Sequence, residues 1–269
     1  MDYKIWCRYD KTMIRVTLVT PKPTKIRLIA YDSDQANTQF MNSTNIINGQ
    51  EDLFIRLPLS PNNLIVKIYN EEIGNRPKEQ ENTFIVKNIR KEDLDVTINK
   101  TKMDTPLVNS FVKFCQKFCY NAGWMPPKDY YGNNNQFKIE YMPFIKGQNG
   151  NKLYTPARIS TQNGRIQVSQ EAFVPFTVPM RMAILLHEFS HYYLNSDISN
   201  EVEADLNALT IYLGLGFPIK EGYAAFGETF MGAQTELNKK RYEILNNFIR
   251  DYIQEHNIKD VYATGFKQN

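Results

Sequence analysis

Between Pro179 and Leu194 the only formally charged residues are Arg181 and Glu188. A helix that is apolar on all sides is a buried central helix. The remaining elements must therefore be built around this one. Pro179 suits its first turn, where the missing amide hydrogen would have no partner anyway. Inside the run stands His187-Glu188-Phe189-Ser190-His191, which uses two of the three histidines in the chain.

Residues four apart on a helix share a face and are separated by about 6 Å along the axis. His187 and His191 can therefore aim their imidazoles at one point, as ligands of Zn²⁺. Glu188 lies about 100° round the helix from His187. It borders the same cleft without being a natural third ligand, where a base for a metal-activated water belongs. Asn195 to Asn200 is a cluster of turn and capping residues. Asn200 followed by Glu203 resembles a capping box, so a helix is expected from about Glu201 to Leu213. Folded back antiparallel on the first helix, it brings Glu201 level with His191 and Asp205 level with His187. Glu201 is then the expected third ligand. Asp205 is the expected partner of the non-ligating nitrogen of His187. Ala204 and Ala208 are small enough to let the helices approach closely.

His-Glu-x-x-His followed by Glu-x-x-Ala-Asp resembles the gluzincin metallopeptidases. The direct match covers about 30 residues and extends more loosely over about 105 to 230. The resemblance implies a zinc site of His187, His191 and Glu201, with Glu188 as general base, Asp205 behind the ligands and a polypeptide substrate. The step from His191 to Glu201 is short for that family. There is a fainter similarity to metallopeptidase-like proteins of tailed phages, including the crAss-like group. Asp197 is a rival third ligand, at the position where metzincin-like enzymes place their last ligand. Those enzymes turn the chain with a Gly where this sequence has Leu194, so Glu201 is preferred. Tyr154, Tyr212 and Tyr223 are unranked candidates for stabilising an oxyanion.

The expected fold class is α+β, with an N-terminal β-sandwich over residues 1–100 and a minimal zincin-like metallopeptidase core with C-terminal helices over 101–269. Short alternating segments at about 14–19, 26–31, 51–59, 63–70, 83–88 and 95–99 read as strands. Asn48-Gly49 is among the turns between them. Thr105-Pro106 opens a backing helix whose stripe contains Phe111, Cys115, Phe118 and Cys119. Residues 137–142 alternate as a strand. Asn163-Gly164 between alternating segments marks a hairpin, and the strand at 165–168 is the expected sheet edge. Helices are expected over 218–230 and 234–256. Lys239-Lys240-Arg241 reads as a solvated face, and His256 as exposed and not a ligand.

The net charge of +3 carries no strong basic block or nucleic-acid motif, so no nucleic-acid partner is expected. No apolar run is long enough to span a membrane. The odd cysteine count fits buried thiols in a reducing compartment, and the start, Met-Asp-Tyr-Lys-Ile-Trp-Cys-Arg, does not read as a signal peptide. The expected location is cytoplasmic or, from the phage similarity, within a phage particle. Residues 1–100 are then a docking module for a larger assembly. The alternative function is a structural or assembly protein, such as a phage virion component, carrying a zinc-bound or degenerate zincin fold. A zinc hydrolase of non-peptide amides is a third reading.

Overall fold

The computed structural model describes residues 1–74, 82–94, 104–132, 135–229, 235–256 and 258. Among these, one compact unit draws on Met1–Val96, Gly216–Lys220 and Ile258, and a second on Thr97–Leu215 and Glu221–Asn257. The chain has the α+β composition expected, with both sheets and helices. No described helix is long and apolar enough to cross a membrane.

The first unit holds one antiparallel sheet of β1 (Asp2–Trp6), β2 (Thr12–Asp32), β3 (Gln35–Leu57), β4 (Asn63–Asn70) and β5 (Ile85–Asp93). The segments expected as separate strands near 14–19 and 26–31 are one long β2. Its first half pairs with β5 and its second half with β4, while β3 flanks both. The register slips between Thr20 and Thr24, where Pro21 and Pro23 have no amide hydrogen to give to the ladder. Gly49 sits opposite with φ +75°. The Asn48-Gly49 turn signal thus marks an irregularity inside β3 and not a chain reversal. Period-two alternation is kept on both sides of the slip: Ile14, Val16, Leu18, Ile26, Leu28 and Ala30 are all buried. The strand expected at 95–99 lies outside the described residues. Gly216–Lys220 joins this unit through Arg56 Nε to the Gly216 carbonyl (3.3 Å) and Lys220 Nζ to the Thr44 carbonyl (3.2 Å).

The second unit begins with α1 (Pro106–Asn121), capped by Thr105, whose side chain accepts from the Val108 amide. Four strands follow in the order β10 (Ala157–Ile159), β11 (Ile166–Ser169), β7 (Lys138–Met142), β6 (Lys128–Tyr131), with β11 and β7 parallel. A small hairpin of β8 (Ile145–Lys146) and β9 (Lys152–Leu153) stands beside them. Then come α2 (Gln170–Phe173), α3 (Val178–Tyr193), α4 (Glu201–Gly214), α5 (Ile219–Thr229, of which Ile219 and Lys220 belong to the first unit) and α6 (Glu236–Glu255). One expectation is corrected here. The strand at 165–168 is interior, paired on both sides, and the edges are β10 and β6.

Every residue of α3 from Val178 to His191 is buried. Phe189 stacks on Phe111 of α1 with ring centroids 4.0 Å apart. Arg181 is fully buried and donates to the carbonyls of Cys119 (2.9 Å), Phe173 (3.3 Å) and Val174. Burial lowers its pKa to about 10, and the three carbonyls meet the need of a buried cation for acceptors. The cysteines are all free and buried. At the tip of the β10–β11 hairpin, Gly164 has φ +66°, and a Cβ there would lie 2.7 Å from Tyr192 and Tyr193. Gly164→Ala combines backbone strain with overpacking and is expected to destabilise the fold by about 1–3 kcal/mol. Urea unfolding measures this as a lowered midpoint with an unchanged slope.

Candidate metal centre

Helix α3 supplies His187 and His191, and α4 supplies Glu201 and Asp205. The loop between them is tightly bonded. Asn200 caps α4 by accepting from the Glu203 amide at 3.1 Å. Glu203 does not return to the amide of Asn200 as a capping box would. Its carboxylate takes the Ser196 amide at 2.8 Å and the Ser196 hydroxyl at 2.9 Å. This order places the Ile198 carbonyl 2.8 Å from His191 Nδ1. The short step noted in the sequence thus provides the acceptor that turns Nε2 of His191 towards the cluster.

The three donor groups converge. His187 Nε2 and His191 Nε2 are 3.0 Å apart, and Glu201 oxygens lie 3.5 Å and 3.7 Å from them. A tetrahedral ion with bonds of about 2.0–2.1 Å holds its donors about 3.3 Å apart. His187, His191 and Glu201 therefore form a group that could hold a metal ion. Asp197, the rival ligand, is outside it: its Oδ1 accepts from the Ser199 amide and hydroxyl at 2.9 Å and 2.7 Å.

Behind the cluster, Asp205 Oδ1 lies 2.9 Å from His187 Nδ1. The same carboxylate is gripped by Arg241 of α6 through two bonds of 2.8 Å and 2.9 Å. Arg241 Nη2 also approaches Glu201 Oε2 at 3.2 Å. This corrects the reading of Lys239-Lys240-Arg241 as a solvated face. Lys239 and Lys240 are exposed, but Arg241 is buried. The signal was present, because Arg241 falls at four-residue spacing with Leu245, Ile249 and Ile253, the other buried residues of α6.

Glu188 is buried and its Oε2 accepts the Ile159 amide of β10 at 2.7 Å. Oε1 has no donor among the described residues. Burial raises the Glu188 pKa, against the opposing pull of His187, His191 and the Ile159 amide. Glu201 is held low, chiefly by His187. At His187 burial disfavours the charged form, yet Asp205 and then Glu201 outweigh it, and the pKa rises to about 9. With the histidines neutral, Glu188, Glu201 and Asp205 stand against the single charge of Arg241. A dication balances that excess, which fits the donor set.

The tyrosine candidates separate. Tyr212 is fully buried, and a Cβ on Gly222 would lie 2.7 Å from its ring. Tyr154 is exposed. Tyr223 meets Tyr242 edge to face at 5.2 Å. His256 stacks on Tyr252 at 4.1 Å and is not in the donor group.

The chain is thus an α+β protein with a His-His-Glu group able to hold a metal ion beside a buried glutamate. No protein-family model and no curated protein matches it.

Two outcomes follow from this geometry. Arg241→Met removes the guanidinium that grips Asp205 and leaves His187 as its remaining partner, and is expected to cost about 3–5 kcal/mol, read from urea unfolding of the metal-free chain above about pH 9, where His187 is neutral. His187 keeps its proton up to about pH 9, against an ordinary 6.5, in the metal-free fold. That raised pKa stabilises the metal-free fold fully below about pH 6.5, and the contribution is lost as the pH rises through about 9. A metal must displace this proton, so affinity should climb with pH up to about 9 and then level off. Calorimetric titration in buffers of different ionisation heat should report release of about one proton at neutral pH.

Proposed function

We propose that this chain is a zinc-dependent peptidase of gluzincin type, with a zincin-like core in the second unit. The observation that carries the reading is the convergence of His187, His191 and Glu201 at 3.0–3.7 Å beside a buried Glu188. Two histidines and one carboxylate suit zinc, and three protein ligands are the number used by catalytic sites, whereas structural sites fill all four positions. Bound zinc would polarise a substrate carbonyl and lower the pKa of a water towards about 7.

The protein's own groups divide the remaining work. Asp205 and the Ile198 carbonyl orient His187 and His191 through their Nδ1 atoms, which sets the tautomer that leaves Nε2 free to ligate. Arg241 holds Asp205 and Glu201 in place. Glu188 is anchored at Oε2 by Ile159, which leaves Oε1 to accept a proton from water and pass it to the departing amine.

Strand β10 supports a polypeptide substrate. Its partner β11 takes the Ser160 amide through Arg165, and Ser169 donates to Pro156. In an antiparallel pair these roles alternate, so residues 157 and 159 direct their backbone groups to the other side. There the Ile159 amide meets Glu188. The Ala157 carbonyl accepts from the Thr155 hydroxyl at 2.8 Å, so the Ile159 carbonyl and the Ala157 amide remain for an extended chain to pair with. The first unit is read as a docking module. The buried side chains on both halves of β2 suit a sheet bent over a common core, in the manner of a sandwich.

Glu188→Gln tests the mechanism. The variant should keep one zinc per chain by elemental analysis while hydrolysis of an unfolded protein falls by about 10²–10⁴-fold. His187→Ala and Glu201→Ala should lose the metal. Hydrolysis unchanged in Glu188→Gln, or wild type without stoichiometric zinc, would remove the reading.

A further inference from the structure

The outer face of the second unit's sheet carries a chain of polar contacts. Asp129 meets Lys138 at 2.8 Å, Lys138 meets Glu140 at 2.9 Å, and Gln167 donates to Glu140 at 3.1 Å. Arg158 Nε donates to Gln167 at 2.7 Å and its Nη2 to the Lys146 carbonyl at 3.0 Å. At the β10 end lies a cavity of about 490 Å³ lined by Met142, Pro143, Phe144, Lys146, Arg158 and Gln167. Its walls are apolar apart from Gln167 and two cations.

Those cations differ from their neighbours. Lys138, Arg165 and Lys152 each have a carboxylate partner, in Asp129 and Glu140, Glu140, and Glu171 respectively. Arg158 bonds only to neutral acceptors. Lys146 is exposed, with its ammonium 5.9 Å from the Phe144 ring centre. Neither has a carboxylate partner among the described residues. Two cations without counter-charges over an apolar wall suit a ligand with an anionic head on a short apolar stem.

The position supplies the second half of the argument. Arg158 immediately precedes Ile159, whose amide holds Glu188. Side chains alternate along a strand, so Arg158 points to the face opposite Ala157 and Ile159. A peptide paired to the open side of β10 would lay one side chain next to Arg158. We propose that this cavity is a substrate subsite that selects an acidic side chain within two residues of the cleaved bond. The inference rests on the peptidase reading of the same site and adds the substrate class.

The test uses the full chain carrying Glu188→Gln and loaded with zinc, so that peptides bind without turnover. Octapeptide pools with Glu, Gln or Lys fixed at each position in turn are titrated by fluorescence polarisation. At one position the Glu pool should bind about tenfold more tightly than the Gln pool, and the Lys pool more weakly still. Adding Lys146→Glu, a change at an exposed residue, should abolish the preference or shift it towards Lys. Equal binding of the three pools, no binding by any of them, or a preference untouched by Lys146→Glu overturns the proposal. The same pools are then offered to zinc-loaded wild type. An acidic preference in binding without cleavage would remove the peptidase reading and leave the subsite standing. Cleavage with no acidic preference would do the reverse.

Discussion

The carboxylate of Asp205 is the junction on which the site depends. It is 1% exposed, and a charge so deeply buried survives only when paired and hydrogen-bonded. Its partners come from two other helices: His187 from α3 and Arg241 from α6. The geometry of His187 is therefore set by a residue outside the donor group, and that residue is set in turn by an arginine more than thirty positions further along the chain. Arg241 also reaches Glu201, so one guanidinium steadies one candidate ligand and the support of another. Loss of Arg241 leaves two neighbouring carboxylates without the guanidinium they share.

Glu188 depends on a different neighbour. Its Oε2 is bonded to the backbone of β10, not to another side chain. The strand that would register a substrate chain is thus the strand that positions the proposed base. The adjoining residue, Arg158, opens onto the cavity on the outer face. Glu188 is thus tied to Ile159 by one hydrogen bond, and Ile159 to Arg158 by one peptide bond, so the relation between the proposed base and the proposed subsite tolerates little play.

Much of the site could be read from spacing alone. Four-residue steps placed His187 with His191 and Glu201 with Asp205, and an antiparallel return matched their levels. Thr105, Thr177 and Asn200 act as helix caps because their side chains sit where the first amides lack partners. Other features were not legible. Arg241 sat in a basic triplet, and charge there outweighed the periodicity that would have marked it as buried. Two strand signals belonged to one β2, because prolines and a glycine that usually end a strand can also sit at an irregularity within it. The interior place of β11 followed from parallel pairing with β7, which no local pattern encodes.

Sequence by itself determined which residues lie on which face of α3 and α4, since helical periodicity and capping are local properties of the backbone. It also determined that α3 must be buried, because a helix with apolar residues on every side has no stable place in water. Tertiary structure alone decided the rest: that Arg241 closes the site, that the Ile198 carbonyl orients His191, and that β10 and not β11 forms the edge beside Glu188. Each of these joins residues distant in sequence or turns on how the chain folds back, and such pairings are set by packing and the satisfaction of buried polar groups.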